Sequence, residues 1–124
     1  MKTRFNKSET LIIVALEDEC PRDLLSGWRV VYTGVGKVNA LIGLSKAISE
    51  DKPKTVINFG TAGSKDIPIH TLVKCTKFIQ RDMNTVGLGF PRGITPFEQS
   101  SAHAMDFSHI ANPIDKNYVC RYSS

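Results

Sequence analysis

The sequence predicts an α/β fold whose mixed, mostly parallel sheet is flanked by helices. Short apolar runs of strand length alternate with a segment of helical period, and the first three predicted strands end in acidic or glycine-rich residues. The 124 residues are 41% hydrophobic and 23% charged, as in an ordinary globular domain, and they contain no visible repeat. A chain of this length suits one such fold.

Four segments have the composition of β-strands. The first is a continuous apolar run, which is typical of a strand covered on both faces, and the fourth is rich in β-branched and aromatic residues. The predicted strands are Leu11–Leu16, Trp28–Tyr32, Thr55–Phe59 and Thr71–Gln80.

Between the second and third strands the apolar period changes to three and four residues, which predicts an amphipathic helix. The residues that carry this period are Val38, Leu41, Ile42, Ser45 and either Ile48 or Ser49. The helix should end at Asp51-Lys52-Pro53, because a residue before proline disfavours helical geometry.

The chain loses its regular pattern towards its C-terminal end. Residues 87–96 are rich in glycine and proline and are expected to form a loop. Beyond Gln99 no helical or strand period is sustained. We therefore expect a domain over residues 1–98 and an irregular tail over residues 99–124 that is not part of the fold.

Charge and composition favour no macromolecular surface as a partner. The net charge is +4, shared equally between the two halves without a basic block, so no nucleic-acid partner is expected. The longest apolar run near the start has six residues, which is too short to span a membrane, and acidic residues follow it where a signal-peptide cleavage site would lie.

The cysteines and histidines predict neither a disulfide framework nor a metal site. Cys20, Cys75 and Cys120 are odd in number and widely spaced, which favours a reducing, cytoplasmic setting. The histidines, His70, His103 and His109, have no spacing typical of metal ligands.

Ligands of an open α/β sheet gather where its strands end, here at residues 17–19, 33–36 and 60–63. The acidic run Glu17-Asp18-Glu19 either stabilises the start of a helix or supplies a carboxylate that accepts a proton from water. Glu19 is placed for the second role if Glu17 and Asp18 face solvent.

Two glycine-rich segments follow the second and third strands. Gly34-Val35-Gly36-Lys37-Val38-Asn39 fits neither the dinucleotide fingerprint nor the P-loop; it either exposes backbone N–H groups to a ligand or is only a tight turn. Gly60-Thr61-Ala62-Gly63 either admits a flat ligand close to the backbone or simply turns the chain.

Three segments, in this order along the chain, resemble the purine and uridine nucleoside phosphorylase superfamily: Ala15-Leu16-Glu17-Asp18-Glu19, Gly34-Val35-Gly36-Lys37-Val38-Asn39-Ala40 and Val56-Ile57-Asn58-Phe59-Gly60-Thr61-Ala62-Gly63. Within it the resemblance is to the methylthioadenosine/S-adenosylhomocysteine nucleosidases, and it covers roughly residues 10–98. The implied fold is the N-terminal half of a nucleoside phosphorylase-like domain. Three carboxylates repel phosphate but can polarise water, so hydrolysis is favoured over phosphorolysis.

The resemblance implies a cofactor-free hydrolase of the N-glycosidic bond of an adenine (thio)nucleoside, such as methylthioadenosine or S-adenosylhomocysteine, acting in methionine salvage. It makes Glu19 the water-activating base. The substrate-binding residues that it implies are Ala15, Leu16, Gly36, Thr61, Ala62 and Gly63. It also implies a homodimer, with the loop over residues 83–97 helping to close the partner's site.

Two alternatives stay open beside this interpretation. The family's C-terminal half carries the residues that hold the ribose and protonate the purine, and residues 99–124 offer no counterpart, which favours impaired activity or a catalytically inactive, truncated member that binds a purine weakly. The second alternative is a small α/β domain that self-associates through an exposed sheet edge. If Glu19 is the base, Glu19→Gln should remove activity without lowering stability.

Overall fold

The computed structural model describes residues 5–97, 105–106 and 118–122. They belong to two compact units, Met1–Lys65 and Asp66–Ser124. In chain order the main elements are β1 (Thr10–Val14), β2 (Arg29–Tyr32), α1 (Lys37–Asp51), β3 (Thr55–Asn58), β4 (Cys75–Gln80), β5 (Met105–Asp106) and β6 (Tyr118–Tyr122). Short 3-10 helices lie at Lys7–Glu9, Glu17–Glu19, Arg22–Leu25 and Val86–Leu88.

The first unit is built on a three-stranded parallel sheet in the order β2-β1-β3. Leu11 of β1 pairs with Arg29 of β2 on one side and with Val56 of β3 on the other. All five residues of β1 are buried, because the strand is central and covered on both faces. The predicted apolar strand is thus confirmed, although it begins one residue earlier and ends at Val14.

Helix α1 joins β2 to β3 and packs on the sheet through Gly43, Ala47 and the half-buried Leu44. Ala47 is buried against Leu11 and Ile13. The approach is close at Gly43, where a Cβ atom would lie only 2.8 Å from Cγ2 of Thr33. The helix ends as predicted: Lys52 adopts a left-handed conformation and its N–H donates to the carbonyl of Ile48.

The residues whose spacing predicted α1 lie on its solvent side. Val38, Leu41 and Ile42 are 71%, 65% and 63% exposed, and we refer to these three residues as the α1 stripe. The helix is therefore amphipathic in pattern, but its core contacts come from the opposite side. Exposed neighbouring apolar side chains of this kind are typical of interaction surfaces.

The second unit has a mixed sheet in the order β5-β4-β6. β4 is antiparallel to β5 and parallel to β6, with an irregular step in register between Cys75 and Lys77. β4 is shorter than the predicted strand: it begins at Cys75, and residues 71–74 lie outside it. Together the two sheets confirm the predicted mixed, mostly parallel α/β architecture.

β6 lies in the region that showed no strand period. Cys120 and Arg121 of β6 pair with Phe78 and Ile79 of β4, so at least this part of the region joins a sheet. Most of residues 99–124 lies outside the described residues. The boundary at residue 98 stays a prediction.

Over the described ranges, no helix is both long and apolar enough to cross a membrane.

We expect Leu11→Ala to destabilise the first unit by about 2–5 kcal/mol, since Leu11 is fully buried in the core of that unit. The matched control is Leu24→Ala, because Leu24 is 72% exposed and its truncation should cost within about 0.5 kcal/mol. Urea denaturation followed by circular dichroism measures both. Equal losses for the two variants would contradict the burial of β1.

Candidate active site at the strand ends

The ends of the three parallel strands are tied together by backbone hydrogen bonds that continue the sheet. Thr33 N–H donates to the carbonyl of Val14 at 3.0 Å, and Gly34 N–H donates to that of Ala15 at 2.9 Å. On the other side, Phe59 N–H donates to the carbonyl of Ile13 at 2.9 Å. The segments that follow β1, β2 and β3 therefore start side by side, as expected for the ligand edge of a parallel sheet.

Glu19 links the segments after β1 and β3. It lies at the end of the 3-10 helix Glu17–Glu19, and one carboxylate oxygen, Oε2, accepts from the N–H of Leu16 at 3.2 Å. The other, Oε1, accepts from Thr61 twice, from the backbone N–H at 3.1 Å and from the hydroxyl Oγ1 at 2.7 Å. A carboxylate with three donors is fixed in position and orientation.

These donors also set the charge of Glu19. The Thr61 hydroxyl and then the Thr61 N–H hold the pKa of the Glu19 carboxyl below its usual value; partial burial opposes them and the Leu16 N–H adds to them. Glu19 is therefore ionised at neutral pH. A carboxylate offers about four acceptor positions, so three hydrogen bonds leave room for one more donor, such as a water.

The other two acids of the run point elsewhere. Glu17 and Asp18 are exposed, whereas Glu19 is half-buried. Glu17 instead lines an open cleft of about 590 Å³ together with Arg22 and Trp28.

Tyr32 fixes the chain that follows the acidic run. Its hydroxyl donates to the carbonyl of Cys20 at 2.7 Å, and the Arg22 guanidinium lies 4.9 Å from the centre of its ring. Partial burial raises the pKa of the Tyr32 phenol, and the Glu17 carboxylate raises it further. Tyr32 is therefore a neutral donor that holds the two 3-10 helices after β1 near the end of β2.

The glycines before α1 are required by backbone conformation. Gly34 and Gly36 have φ angles of +83° and +99°, a region that side chains disfavour. Asn39 closes the turn, since its side-chain amide donates to the carbonyl of Val35 at 2.8 Å. The geometry supports the tight-turn interpretation of this motif. Asn39 stabilises the turn, a role that the comparison with the dinucleotide fingerprint did not indicate.

The predicted site residues fall into two groups. Leu16 and Thr61 hydrogen-bond Glu19, and Ala15 immediately precedes Leu16. Gly36, Ala62 and Gly63 lie in the exposed segments after β2 and β3, with open space around the Cα of both glycines. Sequence reasoning treated Thr61 as a pocket residue and missed it as the partner of Glu19, because residues 42 positions apart carry no pattern of their own.

The described residues contain no group of three or more histidine, cysteine, aspartate or glutamate side chains that could hold a metal ion.

Residues 25–116 match the family model of the Phosphorylase superfamily. The chain belongs to this superfamily. The match includes Gly36 and Thr61, starts after Glu19, and continues past residue 98, where the sequence resemblance was expected to end.

Curated relatives of the chain agree with the expected branch. One relative, from Exiguobacterium sp., is a 5'-methylthioadenosine/S-adenosylhomocysteine nucleosidase, 35% identical over 69 residues that cover 54% of this chain and 30% of the relative. Proteins of the same name from Chromohalobacter salexigens and Geobacillus thermodenitrificans are 31% and 28% identical over 67% and 77% of this chain, and over 35% and 42% of their own lengths. The chain thus spans about a third of the length of the curated relatives it matches.

We predict that Thr61→Val raises the pKa of the Glu19 carboxyl towards its usual value, because the variant removes the hydroxyl that lowers it most. Loss of a hydrogen bond to a charged group should also cost about 1 kcal/mol, a low value because Thr61 is exposed and Glu19 is only half-buried. Carbon-13 NMR titration of the glutamates measures the pKa, and Thr71→Val, in the exposed turn after Pro68, serves as the control. An unchanged Glu19 pKa would show that the hydroxyl does not reach the carboxylate.

Acid should remove part of the stability that Glu19 supplies. Because the pKa of Glu19 is lower in the folded than in the unfolded chain, its contribution is complete above the unfolded pKa and is lost as pH falls through the folded pKa. Glu19→Gln should therefore be less stable than the parent at pH 7, by about 1 kcal/mol, and the difference should shrink towards acid pH.

This revises the expectation that the exchange leaves stability unchanged. Urea unfolding at several pH values measures the effect, with Glu17→Gln as the control. A stability difference that stays constant as the pH is lowered would rule out the titration.

Proposed function

We propose that the chain is a nucleosidase that hydrolyses the N-glycosidic bond of an adenine (thio)nucleoside, such as methylthioadenosine or S-adenosylhomocysteine. The proposal rests on one observation: the ionised carboxylate of Glu19 is held by hydrogen bonds at the edge where the parallel strands end. The names of its relatives agree with this reaction.

Glu19 is the general base in this proposal. Its one unfilled acceptor position takes a water, and the Thr61 and Leu16 donors orient the carboxylate towards it. A pKa below the usual value makes Glu19 a weak base. A weak base suffices when the bond between the sugar and adenine breaks early, since positive charge on the sugar makes the approaching water more acidic. The hydroxyl of the water then bonds to the sugar carbon and its proton passes to Glu19, while adenine leaves with the bonding electrons and takes up a proton from solvent.

The nucleoside contacts the segments around this carboxylate. Leu16 and Thr61 donate hydrogen bonds to Glu19, and Ala15 immediately precedes Leu16 in the chain. Gly36, Ala62 and Gly63 present small side chains or none, which lets a flat ring approach the backbone. The substrate is thus held against the ends of β1, β2 and β3.

A homodimer is the second part of the proposal. The α1 stripe exposes three neighbouring apolar side chains on one helix, and covering them with a second copy removes this area from water. We further propose that the protein acts in methionine salvage in the cytoplasm, in keeping with its three free cysteines.

Adenine release from methylthioadenosine and from S-adenosylhomocysteine tests the reaction. The parent should release adenine, and Glu19→Gln should be slower by on the order of 100- to 10,000-fold, since it removes a general base. Glu17→Gln should keep the parent's rate, because Glu17 is exposed and lines the cleft beside Arg22 and Trp28.

Two results would contradict the proposal. Equal losses in the two variants would remove Glu19 from the role of base. A folded parent that neither releases adenine nor binds methylthioadenosine in calorimetry would favour an inactive family member.

Sedimentation velocity tests the dimer. Leu41→Lys should weaken self-association, because it places a charge in the centre of the α1 stripe. The control Leu24→Lys changes an equally exposed leucine outside the stripe and should associate as the parent does. A parent that stays monomeric at all concentrations, or equal effects of the two changes, would overturn the proposed interface.

A further inference from the structure

Two thiols of the second unit lie on neighbouring strands. Cys75 begins β4 and Cys120 lies in β6, and the two strands run parallel in one sheet. Cys75 pairs with Tyr118, so Cys120 is its diagonal neighbour two residues further along β6. Side chains two residues apart on a strand point to the same face, which directs both thiols to one side of the sheet.

Contact between the side chains supports this placement. The Cys120 side chain lies close enough to the Cys75 thiol to raise its pKa, and both residues are half-buried with free sulfhydryl groups. The irregular step between Cys75 and Lys77 alters the spacing along β4 at this point. A local bulge increases strand twist and re-aims side chains.

We propose that Cys75 and Cys120 form a reversible intramolecular disulfide that links β6 covalently to β4. It is an oxidation site of the second unit, and its argument does not rest on the proposed hydrolysis. The oxidant is a low-molecular-weight disulfide of the glutathione class.

The exchange is balanced in two steps. The thiolate of one cysteine attacks a sulfur of the oxidised tripeptide, and one tripeptide thiolate leaves, which gives a mixed disulfide. The thiolate of the other cysteine then attacks the protein sulfur of this mixed disulfide, and the second tripeptide thiolate leaves. The protein loses two hydrogen atoms as protons and two electrons, and the tripeptide disulfide becomes two thiols.

The surroundings of Cys75 make the linkage slow to form and slow to break. Burial raises the pKa of the Cys75 thiol, and the neighbouring Cys120 raises it further. Few Cys75 thiolates are then present to attack, and once the bond exists Cys75 is a poor leaving group. The steps in which Cys75 itself attacks or leaves are therefore the slow ones.

Oxidation of the full chain in glutathione buffers, followed by acid quench and tryptic mass mapping, tests the proposal. Trypsin separates the three cysteines, since it releases residues 75–77, 117–121 and 8–22 as different peptides. The native chain should yield the linked pair of peptides 75–77 and 117–121, with at least about tenfold excess over either pairing of Cys20, because native contacts raise the effective concentration of the two thiols.

The same oxidation in concentrated urea supplies the reference. In urea only the length of the loop that each disulfide closes decides which pair forms. The Cys75–Cys120 pairing closes about 45 residues, whereas the two pairings of Cys20 close about 55 and about 100, so loop length favours Cys75–Cys120 by less than about fourfold. A native distribution equal to that in urea would overturn the proposal, and this comparison requires no variant to fold.

Variants extend the test. Cys120→Ser should abolish the linked peptide, and Cys20→Ser should leave its yield unchanged. Disappearance of the linkage in Cys20→Ser, or conversion of the native chain mainly into disulfide-linked oligomers, would also overturn the proposal.

Discussion

The first unit depends on the double pairing of one strand. β1 has a parallel partner on each side, and its five residues are buried from end to end. This burial supplies most of the apolar contact of the unit, and the pairing fixes the register of β2 and β3 against each other. Because the three strands run in the same direction, the segments that follow them are brought to one edge.

At that edge, the hydrogen bonds between Glu19 and Thr61 position the carboxylate of the proposed hydrolysis. The carboxylate closes the gap between the segments after β1 and β3, and the same donors keep it ionised. In the proposed hydrolysis, a carboxylate fixed in this way needs no reorganisation to receive a water. The cost is basicity, since every donor that stabilises the carboxylate lowers its affinity for a proton.

Helix α1 shows how periodicity and packing can disagree. Small residues face the sheet, with Ala47 buried and Gly43 in close approach to Thr33, while the α1 stripe faces solvent. Among its large apolar residues Leu44 packs against the core, whereas the three residues of the α1 stripe stay available for another surface. The pattern identified the helix correctly without identifying which side of it meets the core.

The sequence by itself determined the α/β class, the central buried strand, the helix and its end before Pro53, and the family to which the chain belongs. These features depend on local composition and on motifs read within a few residues. It did not determine β6, whose pairing with β4 comes from a region without a strand period.

Only the tertiary structure decided that Thr61 holds Glu19, that Glu17 and Asp18 turn away, and that Cys75 meets Cys120. Each of these depends on strands distant in sequence that pair in one register, and a hydrogen bond between distant residues leaves no periodic trace in the chain.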